Sequence, residues 1–295
     1  MKKATSILLC CLLLTGCSSG YNTGIQDGDT KVMTVGKNSY TKSDLYDMLK
    51  KSVGGQTAIN LLQNLVYSTE IPVTDEIRQQ AEEEFNTMAS ETENIDQLLQ
   101  ENGYTKESYI EQIVIPNIQS DKLFDKYFKD NQTKIKKAYK PSKAIILQCD
   151  DQKKAEEALA ALKEGKDRTE VFNQYKSENA SYSDDEVLVS TQNTNVPTRM
   201  INTLYKQKNT GLVDEVFTSE SATAAYVTIL IDNNYDNLKD QLKEALSTNT
   251  EFATECVQFY LQKHDFQIHD QDIFNEFRTS HPQFLTQYPE LMNAQ

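Results

Sequence analysis

Apolar residues recur at helical spacing through the first half of the chain. Between residues 73 and 88, apolar positions three or four residues apart fall on one face of a helix, and polar or acidic residues occupy the other faces. These apolar positions are Val73, Ile77, Ala81, Phe85 and Met88. Thr41, followed three residues later by Asp44, approximates a capping box and predicts a helix start, whereas Pro116 predicts a kink or a break. We therefore expect residues 31–137 to form a short strand followed by linked amphipathic helices.

The pattern changes after residue 139. Short apolar runs that are typical of buried strands alternate there with stretches of helical periodicity. The runs are residues 144–147, 187–189 and 226–231. Gly165 follows the first helical stretch, at a position where glycine is favoured. This β-α-α-β-α-β order predicts a compact α/β unit over residues 138–235, and helical periodicity returns over residues 236–295, so that the chain as a whole is predicted to be α+β.

The first 16 residues have the order of a cleavable export signal. Two lysines precede an apolar run at residues 7–14, and Gly16 precedes Cys17. Eight apolar residues span about 12 Å as a helix, well short of the roughly 20 residues that cross a bilayer. The Leu-x-Gly-Cys order resembles the bacterial lipobox, in which the cysteine is acylated and becomes the first residue. Cys17 is therefore the predicted lipidation site, residues 17–30 are a flexible tether, and the membrane is a partner through this N-terminal lipid at its outer face.

Composition narrows the choice of partners. The chain has 295 residues and a formal net charge of −14, and loss of the leader removes two lysines and no acids, which gives −16. Phosphate contacts require clustered Lys and Arg, so no nucleic-acid partner is expected, and basic clients or surroundings suit this charge better. Cys149 and Cys256 remain after the leader and the lipidated cysteine are set aside, and the sequence leaves open whether they pair.

The remaining residues that could form a catalytic or metal site are explained better by ordinary structural roles. His264, Asp265, His269, Asp270 and Asp272 could be metal ligands, but a short strand at residues 266–268 and a helix cap at Asp270 or Asp272 explain them better. The chain has neither a Gly-x-Ser-x-Gly elbow nor a phosphate-binding glycine loop. We therefore assign no catalytic, metal or cofactor-binding residue and expect no cofactor. The acidic face at residues 82–84 is interpreted as solvated rather than as a client site.

Several short sequence segments resemble segments of the PrsA-type foldase lipoproteins, and of the related proteinase maturation lipoproteins, of Gram-positive bacteria. They are Val35-Gly36-Lys37, Tyr40-Thr41-Lys42-Ser43-Asp44-Leu45, Asn102-Gly103-Tyr104 and residues 155–172. The resemblance implies a SurA-like architecture, in which a discontinuous helical chaperone domain (residues 31–137 and 236–295) carries an inserted parvulin-type peptidyl-prolyl isomerase domain (residues 138–235). It also implies that the partners are unfolded exported proteins and that the chain forms a homodimer.

The parvulin resemblance extends to the strands but not to the histidines. Similar phrases are Pro141-Ser142-Lys143-Ala144-Ile145-Ile146-Leu147, Gly165-Lys166-Asp167, Val196-Pro197 and Gly211-Leu212-Val213. Active members carry Ser-His-Ile-Leu and Gly-Tyr-His motifs, whereas here Ala144 stands at the first histidine position and Val227 at about the second. We therefore expect a degenerate, weak or inactive isomerase. The alternatives are an active isomerase and a solute-binding lipoprotein with two α/β lobes.

Overall fold

The computed structural model of the protein describes residues 24–182, 184–219, 221 and 223–292. Residue contacts divide the chain into two compact units. Unit 1 is discontinuous and comprises Met1–Ser120 and Thr254–Gln295, whereas unit 2 is the continuous stretch Asp121–Ala253. The predicted boundaries at residues 138 and 235 stay a prediction.

The first segment of unit 1 is a hairpin followed by helices. Strands β1 (Lys31–Val35) and β2 (Asn38–Thr41) pair antiparallel, and Gly36 adopts a φ of +60° in the turn between them. Thr41 and Asp44 form the predicted capping box of the first helix. The helices are α1 (Lys42–Glu70), α2 (Asp75–Glu91), α3 (Ile95–Glu101), α4 (Lys106–Tyr109) and α5 (Ile115–Asp130).

A π-helical turn, Ile110–Val114, joins α4 directly to α5. The backbone N–H of Ile115 donates to the carbonyl of Ile110, five residues earlier, as in a widened turn. Pro116 follows at once and cannot donate a backbone hydrogen bond. The helix therefore continues through the predicted break, with its irregularity placed just before the proline.

Unit 2 is built on an antiparallel sheet with helices on either side. Its elements are α6 (Gln132–Tyr139), β3 (Ser142–Cys149), α7 (Gln152–Lys163), α8 (Arg168–Tyr175), β4 (Val187–Val189), α9 (Thr198–Lys206), β5 (Gly211–Leu212), β6 (Phe217–Thr218), β7 (Ala225–Asp232) and α10 (Tyr235–Ser247). The strand order is β4-β3-β7-β5, and β6 also pairs with β7. This sheet and its helices confirm the predicted mixed α+β class.

Each face of this sheet carries its own apolar core. On one face, α9 packs Met200 and Leu204 against Ala144 and Ile146 of β3. On the other, α7 and α8 cover a second cluster, which includes Leu147, Val227, Ala155, Leu159 and Phe172. A sheet buried on both faces explains why its two central strands read as nearly continuous apolar runs.

The chain returns to unit 1 through α11 (Thr250–Lys263), followed by α12 (Gln271–Ser280), a 3₁₀ turn (Pro282–Phe284) and α13 (Pro289–Met292). Helix α12 lies against α1 near Gly55, where an added Cβ would come within 2.7 Å of Glu276. Phe284 and Leu285 are buried, so this tail folds back onto unit 1. The strand predicted at residues 266–268 is wrong, because that segment is a loop without strand pairing.

Candidate functional site

The two positions at which the resemblance places histidines lie on opposite faces of the sheet. Ala144 is opposite Leu230 in the register of β3 and β7, whereas Val227 is opposite Leu147. Side chains alternate between faces along a strand, and accordingly Ala144 and Val227 belong to different cores. These two positions therefore do not converge on one site.

The residues of β7 that share a face with Ala144 include Tyr226 and Thr228. The Tyr226 hydroxyl donates to the backbone carbonyl of Asn195 at 2.9 Å, and the Tyr182 hydroxyl donates to the side-chain oxygen of the same residue at 2.7 Å. Burial raises the pKa of both tyrosines above the ordinary value, so both hydroxyls stay protonated near neutral pH. Tyr226 ties the loop before α9 to the sheet, and Tyr182 ties the same loop to the segment before β4.

Side chains fill the rest of this face. Met200, Leu204 and Phe217 are fully buried there. The hydroxyl of Thr228 is also buried and has no hydrogen-bond partner among the described residues. A packed apolar face with buried hydroxyls can support the fold, but it offers neither of the histidines that the active motifs contain.

The histidines and aspartates near the end of α11 have structural roles. Asp270 caps α12 by accepting the backbone N–H groups of Asp272 and Ile273, which confirms the predicted cap. His264 Nε2 lies 2.6 Å from Glu70 Oε1. Across the described ranges, no group of three or more His, Cys, Asp and Glu side chains is arranged to hold a metal ion. Cys149 and Cys256 are both buried and free.

A groove of about 870 Å³ opens in unit 1. One wall is the part of α1 from Asn60 to Ser68, and the other is formed by the π-helical turn and the start of α5. Leu61 and Leu65, one helical turn apart on α1, line it and are 64% and 61% exposed. No signal in the sequence separates these two leucines from the core positions Ile59, Leu62 and Val66 on the same helix.

Cys17, the predicted lipidation site, lies outside the described residues, as do the signal peptide and the start of the tether. None of the helices that the structure describes is long and apolar enough to cross a membrane.

No protein-family model matches the chain, and no curated protein matches it. Solved structures do. The crystal structure of peptidylprolyl isomerase (PrsA) from Bacillus cereus matches at a TM-score of 0.55 and 21% identity, over 86% of this chain and 99% of that one. Foldase protein PrsA from Streptococcus pneumoniae matches at a TM-score of 0.40 and 17% identity, over 84% of this chain and 98% of that one. Peptidylprolyl isomerase (PrsA) from Bacillus anthracis matches at a TM-score of 0.43 and 18% identity, over 72% of this chain and 100% of that one. The Bacillus cereus match confirms the mixed α+β fold that the resemblance implied, and the insertion of one domain into the other stays a prediction.

Proposed function

We propose that the chain is a PrsA-type foldase, an extracytoplasmic chaperone that assists the folding of exported proteins. The observation that carries the proposal is the fold shared with the Bacillus cereus PrsA over 86% of the chain. Unit 1 adds exposed apolar side chains along α1, including Leu61 and Leu65, which a protein that holds unfolded segments requires. The helical composition of unit 1 disfavours a solute-binding protein, which is built from two α/β lobes.

The parvulin-like unit is proposed to be weak or inactive as an isomerase. Its sheet carries Ala144 and Val227 where the active motifs carry histidines, and these two residues face opposite cores. Isomerisation crosses a barrier of about 18–20 kcal/mol, which an enzyme lowers by binding the twisted bond better than the ground state. We expect a face filled by side chains in the described residues to bind that bond poorly. The unit is therefore proposed to contribute shape or binding.

Two assays on the full chain test this proposal. In the first, a chemically denatured protein is diluted into buffer, and aggregation is followed by light scattering with and without the chain. In the second, turnover of a proline-containing peptide is measured. We expect aggregation to be suppressed and turnover to stay near the uncatalysed rate. Unchanged aggregation contradicts the chaperone, and robust turnover contradicts the inactive isomerase.

Lipid anchoring at Cys17 is a separate part of the proposal, supported by the Leu-Thr-Gly-Cys order. Two acyl chains give stable membrane attachment, where a single chain is marginal. Labelled fatty acid should enter the wild-type protein, which should fractionate with membranes, and Cys17→Ala should abolish both. A Cys17→Ala protein that still carries label at its N-terminus would contradict the assignment. The homodimer stays a prediction, and sedimentation of the purified protein tests it.

A further inference from the structure

The groove in unit 1 combines apolar side chains with polar groups that suit a peptide backbone. Leu61 and Leu65 point away from the buried side of α1, on which Ile59, Leu62 and Val66 pack. Amide side chains line the groove on both walls, and each amide presents a donor and an acceptor. The accessible ones are Asn60, Gln63, Asn64, Gln112 and Asn117, whereas Gln119 is buried and donates to the backbone carbonyl of Ile71. An extended polypeptide needs this mixture, because its backbone groups require partners while its apolar side chains leave water.

The π-helical turn contributes directly to the groove. Glu111, Gln112 and Ile113 lie within this turn and line the cavity. Such turns are uncommon and frequently occur at functional sites. The irregularity before Pro116 therefore lies in the wall of the groove.

The charge of the segment that forms the groove favours a cationic ligand. Glu111 is the acidic residue in the lining, and residues 60–120, which supply both walls, hold twelve acidic and two basic residues, a formal net charge of −10 out of −14 for the whole chain. Both basic residues already have acidic partners, since Arg78 pairs with Glu111 at 2.5 Å and Lys106 with Glu82 at 3.0 Å. A field of this sign attracts positively charged segments and repels acidic ones.

We propose that this groove binds extended segments of unfolded proteins that carry apolar side chains together with lysine or arginine. The inference rests on the proposed function and specifies its ligand. The wall from Asn60 to Ser68 on α1 is about 12 Å long at 1.5 Å per residue, which matches about four residues of extended chain at roughly 3.3 Å each. The leucines contact the apolar side chains, the amides bind the backbone, and the acidic surroundings attract the cationic residues.

Three labelled peptides test the ligand class by fluorescence anisotropy with the full chain. They share the same leucine and phenylalanine positions and differ only in carrying lysine, glutamine or glutamate elsewhere. The lysine peptide should bind most tightly and the glutamate peptide least, by at least about tenfold. Raising NaCl to about 0.5 M should weaken binding of the lysine peptide selectively, because exposed charges are screened. Equal affinity for all three peptides would overturn the proposal.

The groove itself is tested by Leu61→Asn with Leu65→Asn, which should weaken binding of the lysine peptide by about tenfold. Leu49→Asn is the matched control, because Leu49 lies on the same helix, is half exposed and is not part of the groove; it should leave binding unchanged. All three leucines are exposed, so the variants should fold, which circular dichroism checks. Unchanged peptide binding by the double variant would overturn the site. So would a double variant that binds peptide normally but sediments as a smaller species, because the groove would then be a contact with a second copy of the chain.

The aggregation assay separates this site from the general function. If the double variant suppresses aggregation as well as wild type does and still binds peptide, the assignment of the binding site to the groove is wrong, and the foldase proposal stands. If wild type neither suppresses aggregation nor binds any peptide, both proposals fail. Reduced suppression by the double variant, with Leu49→Asn at wild-type level, supports both.

Discussion

Lys50 is a buried cation that joins two distant parts of unit 1. Its side chain is 5% exposed, and its Nζ lies 2.7 Å from Asp272 and 3.4 Å from Asp270. The hydrogen bond to Asp272 raises the pKa of Lys50 above its ordinary value of 10.5. Its contribution to stability is thus complete below about pH 10.5 and is lost only as the pH rises through the elevated pKa.

Replacing Lys50 by methionine should destabilise the protein by about 3 kcal/mol, because it removes the cation from an ion pair with the buried carboxylate of Asp270. Lys51→Met is the control, since Lys51 is exposed, and it should change stability by less than about 0.5 kcal/mol. Urea unfolding followed by circular dichroism measures both at neutral pH. Equal stabilities for the two variants would show that the ion pair contributes nothing.

The buried cysteines should be chemically inert in the folded protein. Burial raises the pKa of Cys149 and of Cys256 to about 12, and the thiolate is the species that reacts. Near pH 8 only about one thiol in 10⁴ is then ionised. Iodoacetamide should leave both residues unlabelled in the native state and label both in urea, as read from the masses of their peptides. Labelling of either residue at the unfolded rate under native conditions would contradict the burial.

Thr228 should tolerate loss of its hydroxyl. The group is buried and unpaired within the part of the chain that the structure describes, and a buried hydroxyl without a partner is unfavourable. Thr228→Val should therefore leave the free energy of unfolding unchanged or raise it by about 1 kcal/mol. Marked destabilisation in urea unfolding would indicate that the hydroxyl has a partner.

Residue roles on this sheet depend on a register that the sequence does not contain. The short apolar run in β7 reveals a strand, but a shift of one residue moves every side chain to the other face. Comparison of the sequence motifs places Val227 at the second histidine position, whereas the register of the sheet puts Tyr226 and Thr228 on the face of Ala144. The cap at Asp270 was predictable because capping depends on neighbouring residues only.

At the scale of elements, an aromatic cluster within unit 2 joins the parts of three helices that lie in this unit. Phe252, near the start of α11, is fully buried. Its ring lies 5.1 Å from that of Phe124 and 5.6 Å from that of Tyr127, both on α5, and 5.8 Å from that of Tyr139 at the end of α6. These edge-to-face contacts add to the free energy of burial.

Phe252→Ala should cost about 3–5 kcal/mol, since it removes a large buried ring and leaves a cavity among three helices. Phe252→Leu should cost less, because it fills part of that space. Tyr40→Ala provides an exposed aromatic control with an expected change within about 0.5 kcal/mol. Urea unfolding of the three variants should give this order of stability. An unfolding midpoint for Phe252→Ala equal to that of wild type would show that the aromatic cluster does not stabilise the protein.

Long periodic elements were accessible from the sequence, whereas short pairings were not. Helices such as α2 and α7 repeat their apolar positions over several turns. The two-residue strands β5 and β6 have no pattern of their own and exist through pairing with β7. The same limit explains the wrong strand at residues 266–268, where β-prone residues find no strand to pair with.

At the scale of the whole molecule, the sequence showed helical periodicity on both sides of an α/β stretch, but contacts decide which helices form each unit. The compact unit 2 extends over Asp121–Ala253, beyond the predicted α/β stretch at residues 138–235. The difference arises because aromatic residues of α5 and α6 pack with Phe252. Such contacts join residues more than a hundred positions apart and leave no local pattern.

The uneven distribution of charge should make stability depend on salt. Residues 60–120 carry a net charge of −10, and repulsion among like charges destabilises a compact state. Helix α2 adds to this, because Glu91 is its last residue and no basic residue lies in its last turn, so that a negative charge faces the negative end of the helix dipole. Sodium chloride should therefore raise the thermal unfolding midpoint until the repulsion is screened.

Neutralising Glu91 and Glu93 to glutamine separates this effect from general salt effects. Both residues are exposed, so the change removes charge without disturbing the core. The double variant should be more stable than wild type by a few tenths of a kcal/mol at low salt, and the difference should shrink as NaCl rises to about 0.5 M. Thermal melts followed by circular dichroism measure this convergence. A difference that persists at high salt would assign the gain to helix propensity, because only an electrostatic contribution is removed by screening.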